Sequence, residues 1–166
     1  MANRTTVLDP ETAKRKIERI AWEIYERHID ESELYVIGIA ESGFKLAQRI
    51  LDNITRISPL KCELLKLEVD KKDPAADIIM DANGVELDGK SVVIVDDVLN
   101  SGSTLIYAVK YILDWKVKRC MTAVLVDRSH KRFPIKADVK GVSLSTSLQE
   151  HVQVEFEGES ATAYLS

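Results

Sequence analysis

The amino-acid sequence predicts an α/β domain, a mostly parallel sheet with helices on both faces, and three observations carry that expectation. Short apolar runs rich in β-branched residues, such as Val92-Val93-Ile94-Val95, read as strands covered on both sides. They alternate with stretches whose apolar residues recur at helical spacing. Polar loops of small residues follow the carboxyl ends of the strands, where such sheets collect ligands near a topological switch point. At 166 residues, 45% of them hydrophobic, the chain can bury one full core and is read as a single domain, 1–166.

Asp9-Pro10 opens the first helix, a carboxylate cap followed by proline at the first helical position. Ala13, Ile17, Ile20, Ala21 and Ile24 continue one apolar face to about Arg27. Lys14, Arg15, Lys16 and Arg19 mark the other face. The interspersed Glu11, Glu18, Glu23 and Glu26 make it a solvated surface rather than an RNA-contacting one. Leu34 to Ala40 reads as a buried strand, Glu41-Ser42-Gly43 as a turn, and Phe44 to Ile54 as a helix with Leu46, Ala47, Ile50 and Leu51 inward. As structure alone this is an ordinary βα junction, and it is also a second place where a ligand could meet backbone N–H groups.

Leu60 to Val69 is a further strand, after which Asp70 to Leu87 loses periodicity and collects Lys71, Lys72, Asp73, Pro74 and Asp77. A polar loop of that length in a compact domain is commonly functional or mobile. Leu105, Ala108, Val109, Ile112 and Leu113 define a helix, and Cys120 to Val126 a strand ending in Asp127-Arg128. Ser129 to Ser147 shows little periodicity and gathers Lys131, Arg132 and Lys136. His130 has no partner acid nearby in sequence and is read as a surface-loop residue. Val152, Val154 and Phe156 alternate with Gln153 and Glu155, and Thr162 to Leu165 pairs back as a terminal hairpin.

A formal charge of −4 and a pI near 5.5 argue against a general nucleic-acid binder. Cys62 and Cys120 are too few for a disulfide framework and lack metal-ligand spacing, so both are expected as buried free thiols. The N-terminal Met-Ala-Asn-Arg-Thr-Thr has no apolar signal core and no stretch reaches transmembrane length. No membrane partner is expected, and the cytoplasm is the expected location.

Chemistry concentrates in Ser91 to Thr104, Ser-Val-Val-Ile-Val-Asp-Asp-Val-Leu-Asn-Ser-Gly-Ser-Thr. The strand ends in adjacent carboxylates, Asp96 and Asp97, which accept hydrogen bonds and can hold the vicinal hydroxyls of a ribose. The loop Asn100-Ser101-Gly102-Ser103-Thr104 enters a helix, where backbone N–H groups, hydroxyls and the dipole suit a phosphate. By itself Ser-Gly-Ser-Thr fits a helix N-cap as well as an anion site. Paired aspartates also end a strand in response-regulator receiver domains, but there they lie near the chain start. Neither the P-loop pattern nor the dinucleotide fingerprint is present.

Taken whole, this string resembles the phosphoribosyl-pyrophosphate motif of type I phosphoribosyltransferases. With Glu18 to Arg27, Gly38-Ile39 and the run Val124 to Asp138, Val-Leu-Val-Asp-Arg-Ser-His-Lys-Arg-Phe-Pro-Ile-Lys-Ala-Asp, the chain is similar over nearly its whole length to one branch. That branch is the pyrimidine-operon attenuator and uracil phosphoribosyltransferase family. The resemblance implies the type I fold, with a small hood and base-side segment at about 128–147 and a mobile loop at about 70–87. It implies transfer of a phosphoribosyl group from phosphoribosyl pyrophosphate to a nucleobase, uracil in that branch, giving UMP and pyrophosphate. Asp96 and Asp97 would meet the ribose, Asn100 to Thr104 the 5′-phosphate, Ala40, Glu41, Ser42 and Gly43 the pyrophosphate, and Val126, Asp127 and Arg128 the base. Lys71 and Lys72 would be the cations of the loop closing over the reacting centre. Mg²⁺ would be held mainly by substrate oxygens, with Asp96 and Asp97 acting on it indirectly. A homodimer or higher oligomer is implied.

Three departures bear on activity. Ala40 and Ser42 replace the basic residues of the family's Gly-Ile-[KR]-x-Arg-Gly turn, and Glu41 adds a negative charge that Mg²⁺ or a lysine must offset. The mobile loop lacks the family's Arg-Asp-Asp run. Asn100 stands where the branch commonly has tyrosine and the 6-oxopurine branch an aspartate, and Ser103 where a basic residue is common. A nucleotide-sensing regulator that binds RNA or a protein, and a purine phosphoribosyltransferase, therefore stand beside the uracil enzyme as alternatives.

Overall fold

The computed structural model describes residues 3–81 and 84–166. In chain order the elements are β1 (Thr5–Leu8), α1 (Pro10–Glu26), β2 (Glu33–Ile39), α2 (Ala40–Ile57), β3 (Lys61–Glu68), β4 (Ile79–Met80), β5 (Ser91–Leu99), α3 (Ser103–Ile112), β6 (Arg119–Asp127), β7 (Val139–Ser143), β8 (Val152–Glu157) and β9 (Ser160–Leu165). Six strands form the main sheet in the order β4-β3-β2-β5-β6-β7. All neighbours in it are parallel except the short β4, which runs antiparallel to β3.

The sheet is covered on both faces because its central strands are apolar on both. All nine residues of β5 are buried. Val93 and Val95 point into a cluster with Ile17, Ile20 and Ile24 of α1 and Leu46 and Ile50 of α2. Val92 and Ile94 point the other way, onto Leu105, Ala108 and Ile112 of α3. This is the period-2 alternation of a pleated strand, here apolar at both phases. Helix α1 starts as expected: Asp9 accepts from the Thr12 N–H at 2.7 Å, and Pro10 follows it.

The expected turn at Glu41-Ser42-Gly43 with a helix from Phe44 is corrected: α2 already begins at Ala40. Ala40 takes a φ of 52°, so one residue reverses the chain and no separate turn is needed. The structureless reading of Asp70 to Leu87 is corrected as well, since β4 lies inside it; Ala82 and Asn83 of that stretch fall outside the described residues. Within Ser129 to Ser147 the chain forms β7, parallel to β6, so the segment assigned to the hood contributes an edge strand to the main sheet. The terminal hairpin is real and joins β1 in a separate antiparallel sheet, β1-β9-β8, built from the two chain ends. Strands β1 and β7 escape a pattern reading because four or five half-covered residues are too short for a periodicity to register. Among the described residues no helix is long and apolar enough to cross a membrane.

Candidate active site

Strand order places the switch point between β2 and β5: from β2 the chain moves outward to β3, and from β5 it moves outward to β6 and β7. The carboxyl ends of β2 and β5 therefore flank one crevice. Asp96 and Asp97 sit near the end of β5 and are 3% and 9% exposed, unusual burial for carboxylates and in need of compensation. Part comes from the backbone, as Asp96 Oδ1 accepts from the Asp97 N–H and Asp97 Oδ1 from the Val98 N–H, both at 2.9 Å. The rest comes from Lys71, whose Nζ lies 2.8 Å from Asp96 Oδ1 and 3.2 Å from Asp97 Oδ1. Burial and then the neighbouring Asp97 charge raise the Asp96 carboxyl above its ordinary range, with Lys71 pulling the other way. For Lys71, burial works against the ammonium, but the two carboxylates outweigh it and hold its pKa above the ordinary value.

The loop between β5 and α3 is short and braced from within. Gly102 has a φ of 90°, and a Cβ there would lie 2.5 Å from Ile135 Cγ2, so both conformation and space call for glycine. The Ser101 carbonyl accepts from the Arg132 and Phe133 N–H groups, at 2.7 and 3.1 Å. The Ser101 hydroxyl lies 3.1 Å from that of Ser103 and accepts from the Ser103 N–H. Gly102 brings no capping side chain, so the α3 N-terminus keeps N–H donors for a ligand. A cavity of about 150 Å³ opens here, walled by Asp96, Asn100 to Leu105, Val98, Leu99 and Val124, with Lys71 reaching in. The Asp96 carboxyl and the Asn100 to Thr104 loop thus line the same space.

The start of α2 is built differently. Gly43 packs so closely on β5 that a Cβ would lie 2.7 Å from the Val95 carbonyl and 3.3 Å from Asp96 Cα. None of Ala40, Glu41, Ser42 and Gly43 lines the cavity. Glu41 is offset, as the sequence reading required, by a lysine that reading overlooked: Lys66 of β3 bonds Glu41 and lies 3.2 Å from Glu68. That hydrogen bond holds the Glu41 carboxyl below its ordinary range and raises Lys66. Parallel pairing of Gly38 with Lys66 brings them together, a register that only the assembled sheet supplies.

Val126 and Asp127 end β6, Arg128 follows it, and none of the three lines the cavity. Asp127 is buried, with Lys131 and Lys140 each 3.6 Å away. Arg128, 7% exposed, donates to Asn100 Oδ1 at 2.9 Å, to Thr146 Oγ1 at 3.0 Å and to the Ser147 and Glu150 carbonyls. Its guanidinium clamps the 146–150 segment to the loop after β5. His130 bonds the Thr146 carbonyl in the same region. Lys72 is exposed and stays out of the cavity. Cys62 and Cys120 are free as expected but only partly rather than fully buried, because each lies near the start of its strand, and desolvation pushes both thiols up to about 11.

Among the described residues no group of three or more His, Cys, Asp or Glu side chains is placed to hold a metal ion. Asp96 in the cavity wall and Asp97 beside it fit an ion kept mainly on substrate oxygens rather than in an all-protein cage.

A family model described as phosphoribosyl transferase domain matches residues 3–158. The chain is 33% identical over 163 residues to the bifunctional protein PyrR of Brevibacillus brevis, covering 93% of this chain and 91% of that protein. It is 32% identical over 165 residues to the bifunctional protein PyrR of Haemophilus ducreyi, covering 91% and 89%. In fold it is similar to the hypoxanthine phosphoribosyltransferase of Trypanosoma cruzi solved with the product IMP, with a TM-score of 0.72 at 17% identity over 89% of this chain and 82% of that one. A hypoxanthine-guanine phosphoribosyltransferase of Bacillus anthracis gives a TM-score of 0.69 at 18% identity, covering 89% and 86%. The chain has the type I phosphoribosyltransferase fold and belongs to the phosphoribosyltransferase family.

Proposed function

We propose that this phosphoribosyltransferase joins uracil to the phosphoribosyl group of phosphoribosyl pyrophosphate, giving UMP and pyrophosphate. The observation that carries the phosphoribosyl part is one cavity walled by the buried carboxylate of Asp96 and by the Asn100 to Thr104 loop. Uracil is favoured by the Val124 to Asp138 run and by similarity to the PyrR proteins along more than nine-tenths of the chain.

In this reading the 5′-phosphate sits on the α3 N-terminus and the Ser101, Ser103 and Thr104 hydroxyls, while Asp96 and Asp97 accept from the ribose hydroxyls. The C1–O bond to pyrophosphate breaks through an oxocarbenium-like transition state, the bond from C1 to the base nitrogen forms, and the base proton passes to solvent. No protein nucleophile is needed. The chain supplies positioning and water exclusion, with the Asp70 to Leu87 stretch as the closing loop and Lys71 and Lys72 as its cations. Mg²⁺ would neutralise pyrophosphate charge, with Asp96 and Asp97 holding it indirectly through substrate.

A second reading, a nucleotide sensor with weak catalysis, is favoured by one observation. The Ala40 to Gly43 segment carries no cation, and Lys66 beside it is already engaged by Glu41 and Glu68. Purified protein with Mg²⁺, phosphoribosyl pyrophosphate and uracil is expected to form UMP. Tight binding of phosphoribosyl pyrophosphate with no nucleotide formed from uracil, hypoxanthine or guanine replaces the enzyme with the sensor. A gel-shift titration with and without UMP then tests whether RNA is its partner.

A further inference from the structure

Lys71 is the foreign residue in the cavity wall. Every other lining residue belongs to the β5–α3 unit or to the adjacent β6, whereas Lys71 arrives from the polar segment after β3. That segment has few polar ties to the rest of the protein. From Asp70 to Ile78 its hydrogen bonds among the described residues, those of the Lys71 ammonium apart, are internal: Lys72 N–H to Asp70 Oδ1, Asp73 N–H to the Asp70 carbonyl, Ala76 N–H to the Asp73 carbonyl. The polar link from this segment to the body of the protein is the Lys71 ammonium, bridging Asp96 and Asp97 at 2.8 and 3.2 Å, while Ile78 at its far end packs on the core. Lys72, next in the chain, makes no ion pair among the described residues.

We propose that Lys71 is a latch: in the ligand-free protein its ammonium occupies the carboxylates that take the sugar, and the arriving ribose hydroxyls displace it and set the loop free. The proposal rests on the reading of Asp96 and Asp97 as the sugar-hydroxyl acceptors. An ammonium and a vicinal diol are both donors that match two adjacent carboxylates, so they compete for the same acceptor atoms. Two buried carboxylates need a partner at all times, and the lysine supplies it while the site is empty. Sugar binding and loop release then become one event, and a loop carrying a released cation is poised to close over the reacting centre.

The test uses the unaltered protein and ribose 5-phosphate, which carries the hydroxyls and the phosphate without base or pyrophosphate. Calorimetry establishes binding, and acetic anhydride labelling read by mass spectrometry follows Lys71 with the exposed Lys72 as internal reference. Saturation with ribose 5-phosphate is expected to raise Lys71 labelling relative to Lys72 by roughly fivefold or more, as two charge-assisted bonds are given up. The 2,3-dideoxy analogue keeps the phosphate and is expected to leave the ratio unchanged. Binding of ribose 5-phosphate with unchanged or reduced Lys71 labelling overturns the latch and leaves the sugar-phosphate site standing. An equal rise with the dideoxy analogue also overturns it, because hydroxyls are then not the displacing groups. Failure of ribose 5-phosphate to bind overturns the site reading and the latch together.

Discussion

The two strand-to-helix junctions at the switch point, β2–α2 and β5–α3, solve the same problem in opposite ways. At β5–α3 three residues intervene, Asn100 to Gly102, and the left-handed glycine leaves an open space in front of the helix. At β2–α2 nothing intervenes: Ala40 reverses the chain on its own and Gly43 is pressed against β5. The first junction has donors and a cavity. The second has a close-packed backbone and a surface ion pair, Lys66 with Glu41. An anion site thus depends on the space a loop leaves at a helix N-terminus as much as on the N-terminus itself.

The largest effect expected from this contrast is on ligand binding at β5. Asp97→Ala removes one of the two carboxylates proposed to accept from the ribose hydroxyls and should weaken ribose 5-phosphate binding by about 10- to 150-fold, read by calorimetry, from the ~1.5–3 kcal/mol typical of a hydrogen bond to a charged group. Glu41→Ala, at the other junction, should leave that affinity within about threefold; an equal loss would erase the distinction between the junctions. Gly102→Ala combines a positive φ with a 2.5 Å approach to Ile135 Cγ2. It should cost about 2–3 kcal/mol in denaturant unfolding and abolish phosphate binding. Gly43→Ala should cost about 1–3 kcal/mol through overpacking against the Val95 carbonyl.

Ala40→Gly should stabilise instead. Relief of a left-handed alanine, about 1–2 kcal/mol, exceeds the flexibility glycine adds to the unfolded chain, about 0.5–1 kcal/mol, so a gain of about 0.5–1 kcal/mol is expected. A loss of stability would mean that the Ala40 methyl packs to real effect in this tight junction. The smallest effect lies away from both junctions, at His28 after α1. It is fully buried, lies 2.6 Å from the Ile24 carbonyl through Nδ1, and leaves Nε2 without a partner among the described residues. Burial lowers its pKa from the ordinary 6.5, so the unfolded chain takes up a proton that the folded chain resists. Stability should therefore fall as the pH drops below about 6.5, and His28→Gln should flatten the change in melting temperature between about pH 8 and about pH 5.

Much of this was legible in the residues themselves. Asp9-Pro10, the α1 face and the whole of β5 followed from local rules, because capping, proline placement and apolar runs act over a few residues. The Asp96-Asp97 pair and the Asn100 to Thr104 loop were legible for the same reason: both ends of that site lie in one contiguous stretch. Lys66 beside Glu41 was not, since the two are 25 residues apart and meet through strand register. Nor was the role of Arg128, whose partners Asn100, Thr146, Ser147 and Glu150 come from two other segments. Asp70 to Leu87 read as one polar loop because β4 is only two residues long and is defined by its pairing with β3.

By itself, the sequence determined the α/β alternation and the contiguous stretch that walls the cavity, because short-range sterics, capping and periodicity are written into neighbouring residues, and its motifs carried the resemblance to the family. The tertiary structure alone decided that Lys71 lies across Asp96 and Asp97, that α2 starts without a turn, and that the chain ends pair as a second sheet. Those outcomes depend on which distant groups burial forces together, and two carboxylates driven into the core must take whatever cation the folded chain brings within reach.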